Sequence, residues 1–124
     1  MAKKEVKTDK APQPVGPYSQ GLVVGNRIYV AGQGGVNPDT GKMLEGIEEQ
    51  TRQVMVNVKS IIEAAGGTMD NVVKSTVHLV NLDDFAAFNK IYSNFFTPPY
   101  PVRTTVSSAL LGGMLVEVDV VAEL

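Results

Sequence analysis

The chain has 124 residues, a net charge of −2 and 44% hydrophobic residues, a composition typical of one globular domain and not of a disordered chain. It has no cysteine and a single histidine, His78, which excludes disulfides, thiolate chemistry and multi-histidine metal sites. The slightly acidic charge gives no general attraction to nucleic acid or to anionic membranes. No segment has the pattern of a membrane span or a signal peptide, so we expect one cytoplasmic domain over residues 1–124.

The first half of the chain predicts strands followed by a long helix. Residues 1–10 are slightly basic and predict a tail or a weak first strand. The proline-rich segment 11–21 indicates an ordered loop. Residues 22–31 predict a hairpin that turns at Gly25-Asn26. From about Gly46 the apolar residues recur with helical spacing, and Gly66-Gly67 ends that helix.

The second half repeats the alternation of strand and helix. Residues 72–80 are rich in β-branched side chains and predict a strand. Asn81 or Asp83 can cap a second helix, whose apolar stripe is aromatic and runs over residues 85–95. Residues 98–101 contain three prolines and end this helix before two final strands, which we predict to form a hairpin. The order ββαβαββ predicts an α+β fold with both helices on one face of a sheet.

Two charged residues interrupt the apolar final strands. Arg103 opens the first strand, and Glu117 lies within the apolar run of the last one. A charge in an apolar strand is costly unless it is paired or used, and an arginine binds a carboxylate with two parallel hydrogen bonds. The two residues are therefore either a structural ion pair or an anion-binding and proton-handling pair, and their types alone do not distinguish these alternatives.

The loop between the final strands decides whether the two charges share a face. In the predicted hairpin, a three-residue loop over 111–113 places Arg103 on the face of Glu117, whereas a two-residue turn at Gly112-Gly113 separates them. The last strand has one apolar face that belongs to the core and a second, mixed face. The mixed face fits a subunit interface or a pocket wall and carries Leu115, Glu117, Asp119 and Val121.

Three further residues are candidates for ligand contacts, each with an ordinary structural alternative. Tyr18 follows the prolines of its loop and either offers its hydroxyl to a ligand or simply packs its ring. Gly32 belongs to a glycine-rich segment that could expose backbone N–H groups to an anion, although no helix follows. Asn89 interrupts the aromatic stripe of the second helix and is either a specific polar contact or exposed. His78 is expected to be a packed or surface residue.

Taken together, these segments resemble the RidA/YjgF family, formerly called L-PSP endoribonuclease-like. The resemblance runs from about Pro12 to Ala122. Its pieces, in order, are GPYSQG, AGQ, VNPDTG, QTRQVMVNVKSIIEAAG, KSTVHLVNLDDFAAFN, YSNFF, PVRTTV and VEVDVVA. Leu111 stands where members often have proline, and Thr105 stands where some have cysteine, so chemistry that needs a thiol is excluded.

The resemblance implies a chorismate-mutase-like fold and a homotrimer with its sites in clefts between subunits. The implied reaction is hydrolysis of 2-iminopropanoate and 2-iminobutanoate to 2-keto acids and ammonia, without a metal or organic cofactor. Arg103 would hold the substrate carboxylate, and Glu117 would activate water and protonate the leaving nitrogen. Tyr18, counted with these two as catalytic, and the backbone groups of Gly32 and Thr105 would line the cleft, and Asn89 would add a polar contact.

Two alternatives to this enzyme are open. One is a regulatory trimer that binds small carboxylates in the same cleft without turning them over. The other is RNA cleavage or inhibition of translation, an activity attributed to some relatives. The isoelectric point of about 5.3 and the lack of a basic stripe argue against nucleic acid as a partner.

Overall fold

The computed structural model describes residues 2–124 and centres on a six-stranded mixed sheet. The strands are β1 (Lys3–Val6), β2 (Gly21–Val24), β3 (Arg27–Gln33), β4 (Val36–Asn37), β5 (Lys42–Met43), β6 (Val72–Leu79), β7 (Val102–Ser107) and β8 (Val116–Glu123), and the helices are α1 (Ile47–Ala64) and α2 (Phe85–Tyr92). The sheet order is β1-β2-β3-β8-β6-β7, while β4 and β5 form a separate ribbon. Strands β6 and β7 are parallel and the other neighbours antiparallel. The predicted α+β class is confirmed, and β1 lies within the segment predicted as a tail or a weak strand.

Local sequence signals account for the ends of several elements. Gly25 has a φ of 60° in the turn that joins β2 to β3, as predicted for that hairpin. Gly46 and Gly66 bracket α1 with φ values of 80° and 93°, in the left-handed region that favours glycine. The side chain of Asn81 accepts a hydrogen bond from the backbone N–H of Asp83, which caps the 3₁₀ turn leading into α2.

Both helices contribute to a single apolar core on one face of the sheet. Alternate residues of β8 point into it, as the period-two pattern predicted. The core residues of the last strand are Val116, Val118, Val120 and Ala122. None of the helices within residues 2–124 is long and apolar enough to cross a membrane.

The opposite face of the sheet, which we call the open face, carries neither helix. By strand register it presents Tyr29, His78, Val106, Glu117 and Asp119. Tyr29 and Val106 remain 39% and 38% exposed. Apolar and charged side chains are therefore mixed on a surface that neither helix covers.

The predicted hairpin between the last two strands is wrong. Strand β6 lies between β7 and β8, and it pairs in parallel with β7 and antiparallel with β8. Helix α2 is the crossover of a β6-α2-β7 unit, and the segment 108–115 then passes β6 to reach the position of β8. Neither of the two hairpin loops considered above forms, because the strands that they would join are not neighbours.

Candidate functional site

Arg103 lies on the helix-covered face of β7, beside Ser75 of β6. Its guanidinium carbon lies 5.0 Å from the ring centroid of Tyr92, 5.6 Å from that of Phe85 and 5.7 Å from that of Phe88. All three rings come from α2, so the aromatic stripe of that helix forms a platform for the cation. A cation over an aromatic face is attracted by about 0.5–2 kcal/mol, depending on its exposure to water.

The guanidinium has no protein acceptor among residues 2–124. No carboxylate lies within ion-pair distance of it, and it makes no side-chain hydrogen bond. Arg103 lines a cavity of about 470 Å³, which we call the arginine cleft; it is lined by Asn89, Tyr92, Ser93, Tyr100, Pro101 and Arg103. A guanidinium has five N–H donors arranged as a planar fork. Left without acceptors beside a cavity, they can bind an anion.

Two other residues predicted to contact a ligand belong to this region. Asn89 lines the arginine cleft, and Thr105 lies two residues beyond Arg103 on the same face of β7. The Thr105 hydroxyl is buried and has no hydrogen-bond partner. A buried hydroxyl without a partner is unusual in a folded chain. The structure thus brings together three of the predicted site residues, Arg103, Asn89 and Thr105.

The remaining three predicted residues, Tyr18, Gly32 and Glu117, form a second group. Tyr18 and Gly32 line a cavity of about 330 Å³. A Cβ atom built on Gly32 would lie only 2.7 Å from Glu117 Oε1, so the carboxylate occupies the space that any larger residue at position 32 would need. We call this group the glutamate cleft.

Buried amide side chains hold the loops of the glutamate cleft. Gln20 Nε2 donates to the carbonyl oxygens of Thr8, Ala11 and Pro12 and so holds the proline-rich loop that carries Tyr18. Asn57 Nδ2 on α1 donates to the carbonyl oxygens of Gly34, at 3.2 Å, and Val36, at 2.9 Å. These bonds hold the loop that follows Gly32. Because these amides are 2% and 0% exposed, the hydrogen bonds are protected from water and keep both loops in place.

The titratable side chains around Glu117 belong to β6 and β8. Glu117 lies opposite His78, whose Nδ1 is 3.1 Å from Ser108 Oγ. Burial raises the pKa of Asp119, while the charges of His78 and Lys74 oppose that increase. Within the described chain, no group of three or more histidine, aspartate or glutamate side chains could hold a metal ion.

The two clefts do not meet within one chain. Arg103 shares the face of Ser75, whereas Glu117 shares the opposite face with His78, three residues further along β6. The interpretation of Arg103 and Glu117 as a structural ion pair within the chain is therefore wrong, and one chain does not bring both to one small ligand. Sequence reasoning also missed the platform under Arg103, because the aromatic spacing on α2 indicates only a core-facing stripe.

Comparisons with known proteins agree with this fold. The model of the family described as Endoribonuclease L-PSP matches residues 8–124. A RutC family protein of Pyrococcus abyssi is 47% identical over 124 residues, which cover 98% of each chain. A Dermatophagoides farinae protein named 2-iminobutanoate/2-iminopropanoate deaminase is 43% identical over 110 residues, covering 88% of this chain and 86% of that protein.

Solved structures extend the likeness to the tertiary level. The crystal structure of RidA from the Antarctic bacterium Psychrobacter has a TM-score of 0.95 and 43% identity to this chain. The match covers 98% of this chain and 99% of that one. The chain belongs to the Endoribonuclease L-PSP family, whose members include proteins named RidA and RutC.

Proposed function

We propose that the protein hydrolyses short 2-imino acids, 2-iminopropanoate and 2-iminobutanoate, to 2-keto acids and ammonia. The deaminase name of the Dermatophagoides relative supports this reaction class. The observation that carries the proposal is the guanidinium of Arg103, which lies beside a cavity without any protein acceptor. A 2-imino acid presents a carboxylate next to its reactive carbon, and an arginine fork holds a carboxylate with two parallel hydrogen bonds.

In this proposal each site lies between two copies of the chain in a homotrimer. The arginine cleft of one copy faces the glutamate cleft of its neighbour, so that Arg103 and Glu117 reach the same substrate. The positions of these residues on opposite faces support such a shared site. The apolar side chains Tyr29, Val102 and Val106 are exposed on the open face. Exposed apolar patches often mark protein–protein interfaces, which also supports contact with a second copy there. In a closed ring every copy gives its arginine to one neighbour and its glutamate to the other.

The proposed reaction requires one carboxylate binder and one acid–base group. Glu117 accepts a proton from water as the water oxygen bonds to the imine carbon, and the C=N electron pair moves to nitrogen. The carboxyl then returns that proton to nitrogen, which gives a carbinolamine. The same carboxylate takes the proton of the new hydroxyl and delivers it to the amino nitrogen as the C–N bond breaks, so ammonia leaves and the C=O bond of the 2-keto acid forms. An imine carbon is already electrophilic, so positioning and proton transfer suffice without a metal or organic cofactor.

The other predicted site residues have supporting roles in this proposal. Thr105 supplies a hydroxyl without a protein partner, and Asn89 adds an amide on the wall of the arginine cleft. Tyr18 and Gly32 line the cavity of about 330 Å³, and Gly32 lies against Glu117. Gly32 leaves the room that the carboxylate occupies, and Tyr18 offers its hydroxyl to the ligand.

The proposal is tested with purified protein in an assay where a pyridoxal-dependent dehydratase generates the imine. We expect Arg103→Ala to lower kcat/KM by about 100-fold or more, because two charge-assisted hydrogen bonds are lost. We expect Glu117→Gln to lower kcat by about 10²–10⁴-fold while the affinity for 2-oxobutanoate changes little. Matched controls are Arg52→Ala and Glu63→Gln on the exposed surface of α1.

The same variants separate the deaminase from the alternative functions. A non-catalytic regulator of the same family would bind 2-oxobutanoate through Arg103 but would not accelerate imine loss in the wild-type protein. Equal activity of wild-type protein and Glu117→Gln would rule out the role given to that carboxylate. Ribonuclease activity that survives both Arg103→Ala and Glu117→Ala would not belong to this site.

A further inference from the structure

Of the three α2 rings around the guanidinium of Arg103, the nearest belongs to a tyrosine that is itself held in place. Tyr92 Oη lies 2.7 Å from Ser75 Oγ, and the two residues are 5% and 1% exposed. Ser75 is the direct neighbour of Arg103 across the parallel pair of β6 and β7. The tyrosine under Arg103 is therefore tied to the strand position beside that arginine.

Two aromatic neighbours also pack against the Tyr92 ring. The ring centroid of Tyr92 is 5.2 Å from that of Phe88 and 4.8 Å from that of Phe96. Rings at these separations pack closely and resist reorientation. Packing fixes the position of the ring, and the hydrogen bond to Ser75 fixes its hydroxyl end.

The Tyr92 ring attracts Arg103 without neutralising it. Burial raises the pKa of the Tyr92 hydroxyl, although the hydrogen bond with Ser75 and the charge of Arg103 oppose that increase. The hydroxyl is therefore a neutral phenol at physiological pH, and the guanidinium meets a ring face and not a phenolate. The full positive charge of Arg103 remains available to an anionic ligand.

We propose that Tyr92, anchored by Ser75, is a positioning residue that holds the guanidinium of Arg103 in the orientation that receives the substrate carboxylate. This inference rests on the proposed function, in which Arg103 binds that carboxylate. A free arginine side chain has many rotamers, and ordering it opposes binding. A ring that restrains the guanidinium before the ligand arrives removes part of that cost, so its loss weakens binding more than it slows the chemistry.

Three variants separate the ring from its anchor. Tyr92→Phe keeps the ring and removes the hydroxyl, Ser75→Ala removes the partner of that hydroxyl, and Tyr92→Leu removes the ring. The control is Thr51→Ala, which also deletes a buried hydroxyl, one on α1 with no hydrogen-bond partner. Each protein is titrated with 2-oxobutanoate, and KM and kcat are measured in the imine assay.

We expect Tyr92→Phe and Ser75→Ala each to raise the dissociation constant and KM by about 3- to 10-fold, and Tyr92→Leu by about 10- to 30-fold. We expect kcat to change by less than about twofold, and Thr51→Ala to match wild type. This division between KM and kcat identifies a positioning role, because a general loss of folded protein would lower the apparent kcat instead. If Tyr92→Leu does not fold, the results for Tyr92→Phe and Ser75→Ala decide whether the inference holds.

Affinities within twofold of wild type in folded Tyr92→Phe and Ser75→Ala would overturn the inference, and so would a fall in kcat at unchanged KM. If these variants bind normally while Arg103→Ala does not, the inference fails and the proposed carboxylate site stands. If Arg103→Ala also binds normally, both fail. If wild type binds 2-oxobutanoate without hydrolysing imines, the deaminase proposal fails, yet weakened binding in the Tyr92 variants still supports the positioning role.

Discussion

Arg103 and Glu117 occupy opposite faces of one sheet, because Arg103 lies beside Ser75 of β6 and Glu117 lies opposite His78 of the same strand. Side chains three residues apart on a regular strand point to opposite sides. The helices α1 and α2 cover the face of Arg103, and no helix within residues 2–124 covers the face of Glu117. In the proposed function the two groups therefore reach one small molecule from different copies of the chain.

Mixing two inactive variants tests this shared site directly. We expect Arg103→Ala and Glu117→Gln to be inactive alone and to regain activity when unfolded, mixed in equal amounts and refolded together. In a ring with random mixing, about a quarter of the sites pair an intact Arg103 with an intact Glu117 of the neighbour, so about a quarter of the wild-type activity should return. A mixture that stays inactive although the two variants form mixed oligomers would contradict a site shared between neighbouring copies.

Gly32→Ala tests the contact between Gly32 and Glu117. The added Cβ would lie 2.7 Å from Glu117 Oε1 and 2.8 Å from its Cδ, so the flexible carboxylate must move while the backbone stays in place. We expect a small change in unfolding free energy, below about 1 kcal/mol, and a loss of about 10²-fold in kcat. The control is Gly113→Ala, whose Cβ would meet only Met43 Cγ, at 3.9 Å. Wild-type kcat in Gly32→Ala would contradict the role given to Glu117.

Asp119→Asn tests the electrostatics of the open face. Burial raises the pKa of this carboxyl above 3.8, so the folded chain binds its proton more tightly than the unfolded chain does. The ionised carboxyl therefore weakens the fold above its folded pKa, and this effect disappears below pH 3.8, where both states are protonated. We expect Asp119→Asn to raise the urea midpoint at pH 7 and to have little effect near pH 3.

The control for this pH dependence is Asp39→Asn, which removes the same charge from the exposed turn between β4 and β5. A gain in the urea midpoint that is equal at pH 7 and pH 3 would contradict the assignment. The positive neighbours His78 and Lys74 work against the effect of burial. Removing the charge of Lys74 should therefore enlarge the benefit of Asp119→Asn at neutral pH.

Gln50→Leu tests the amide that ties α1 to the segment before β8. Gln50 Nε2 donates to the carbonyls of Leu44 and Gly113, and its Oε1 accepts from the N–H of Leu115 at 2.8 Å. Leucine fills a similar space but leaves three backbone groups without a partner. At about 1 kcal/mol for each lost hydrogen bond, we expect urea unfolding to show a loss of about 2–4 kcal/mol. An unchanged free energy of unfolding would show that water replaces the amide.

Local signals were sufficient to predict most of the secondary structure. Gly25, Gly46 and Gly66 mark a turn and two helix ends because each adopts a positive φ that few other residues tolerate. The alternation along 116–122 identified the core face of the last strand, because strand side chains alternate with period two. These features depend on neighbouring residues, so the order of residues is enough to find them.

The pairing of β7 could not be predicted in this way. Both β6 and β8 offer suitable apolar neighbours, and the choice depends on how α2 crosses the sheet and on the path of the segment 108–115. Residues adjacent in sequence favoured a β7–β8 hairpin, whereas the fold places β6 between those strands. The roles of the candidate site residues stay a prediction, and their division into two clefts depends on this long-range pairing.

The amino-acid sequence by itself determined the α+β class, the helix ends, the core face of β8 and the family resemblance, since each depends on local spacing or on motifs read in order. Only the tertiary structure decided that Arg103 rests on the ring of Tyr92 and that Glu117 points away from it. A strand pattern states which side chains share a face of that strand, but it does not state which strand lies next to it. That choice of neighbour is made by long-range packing, and it divides the candidate site between two faces of the sheet.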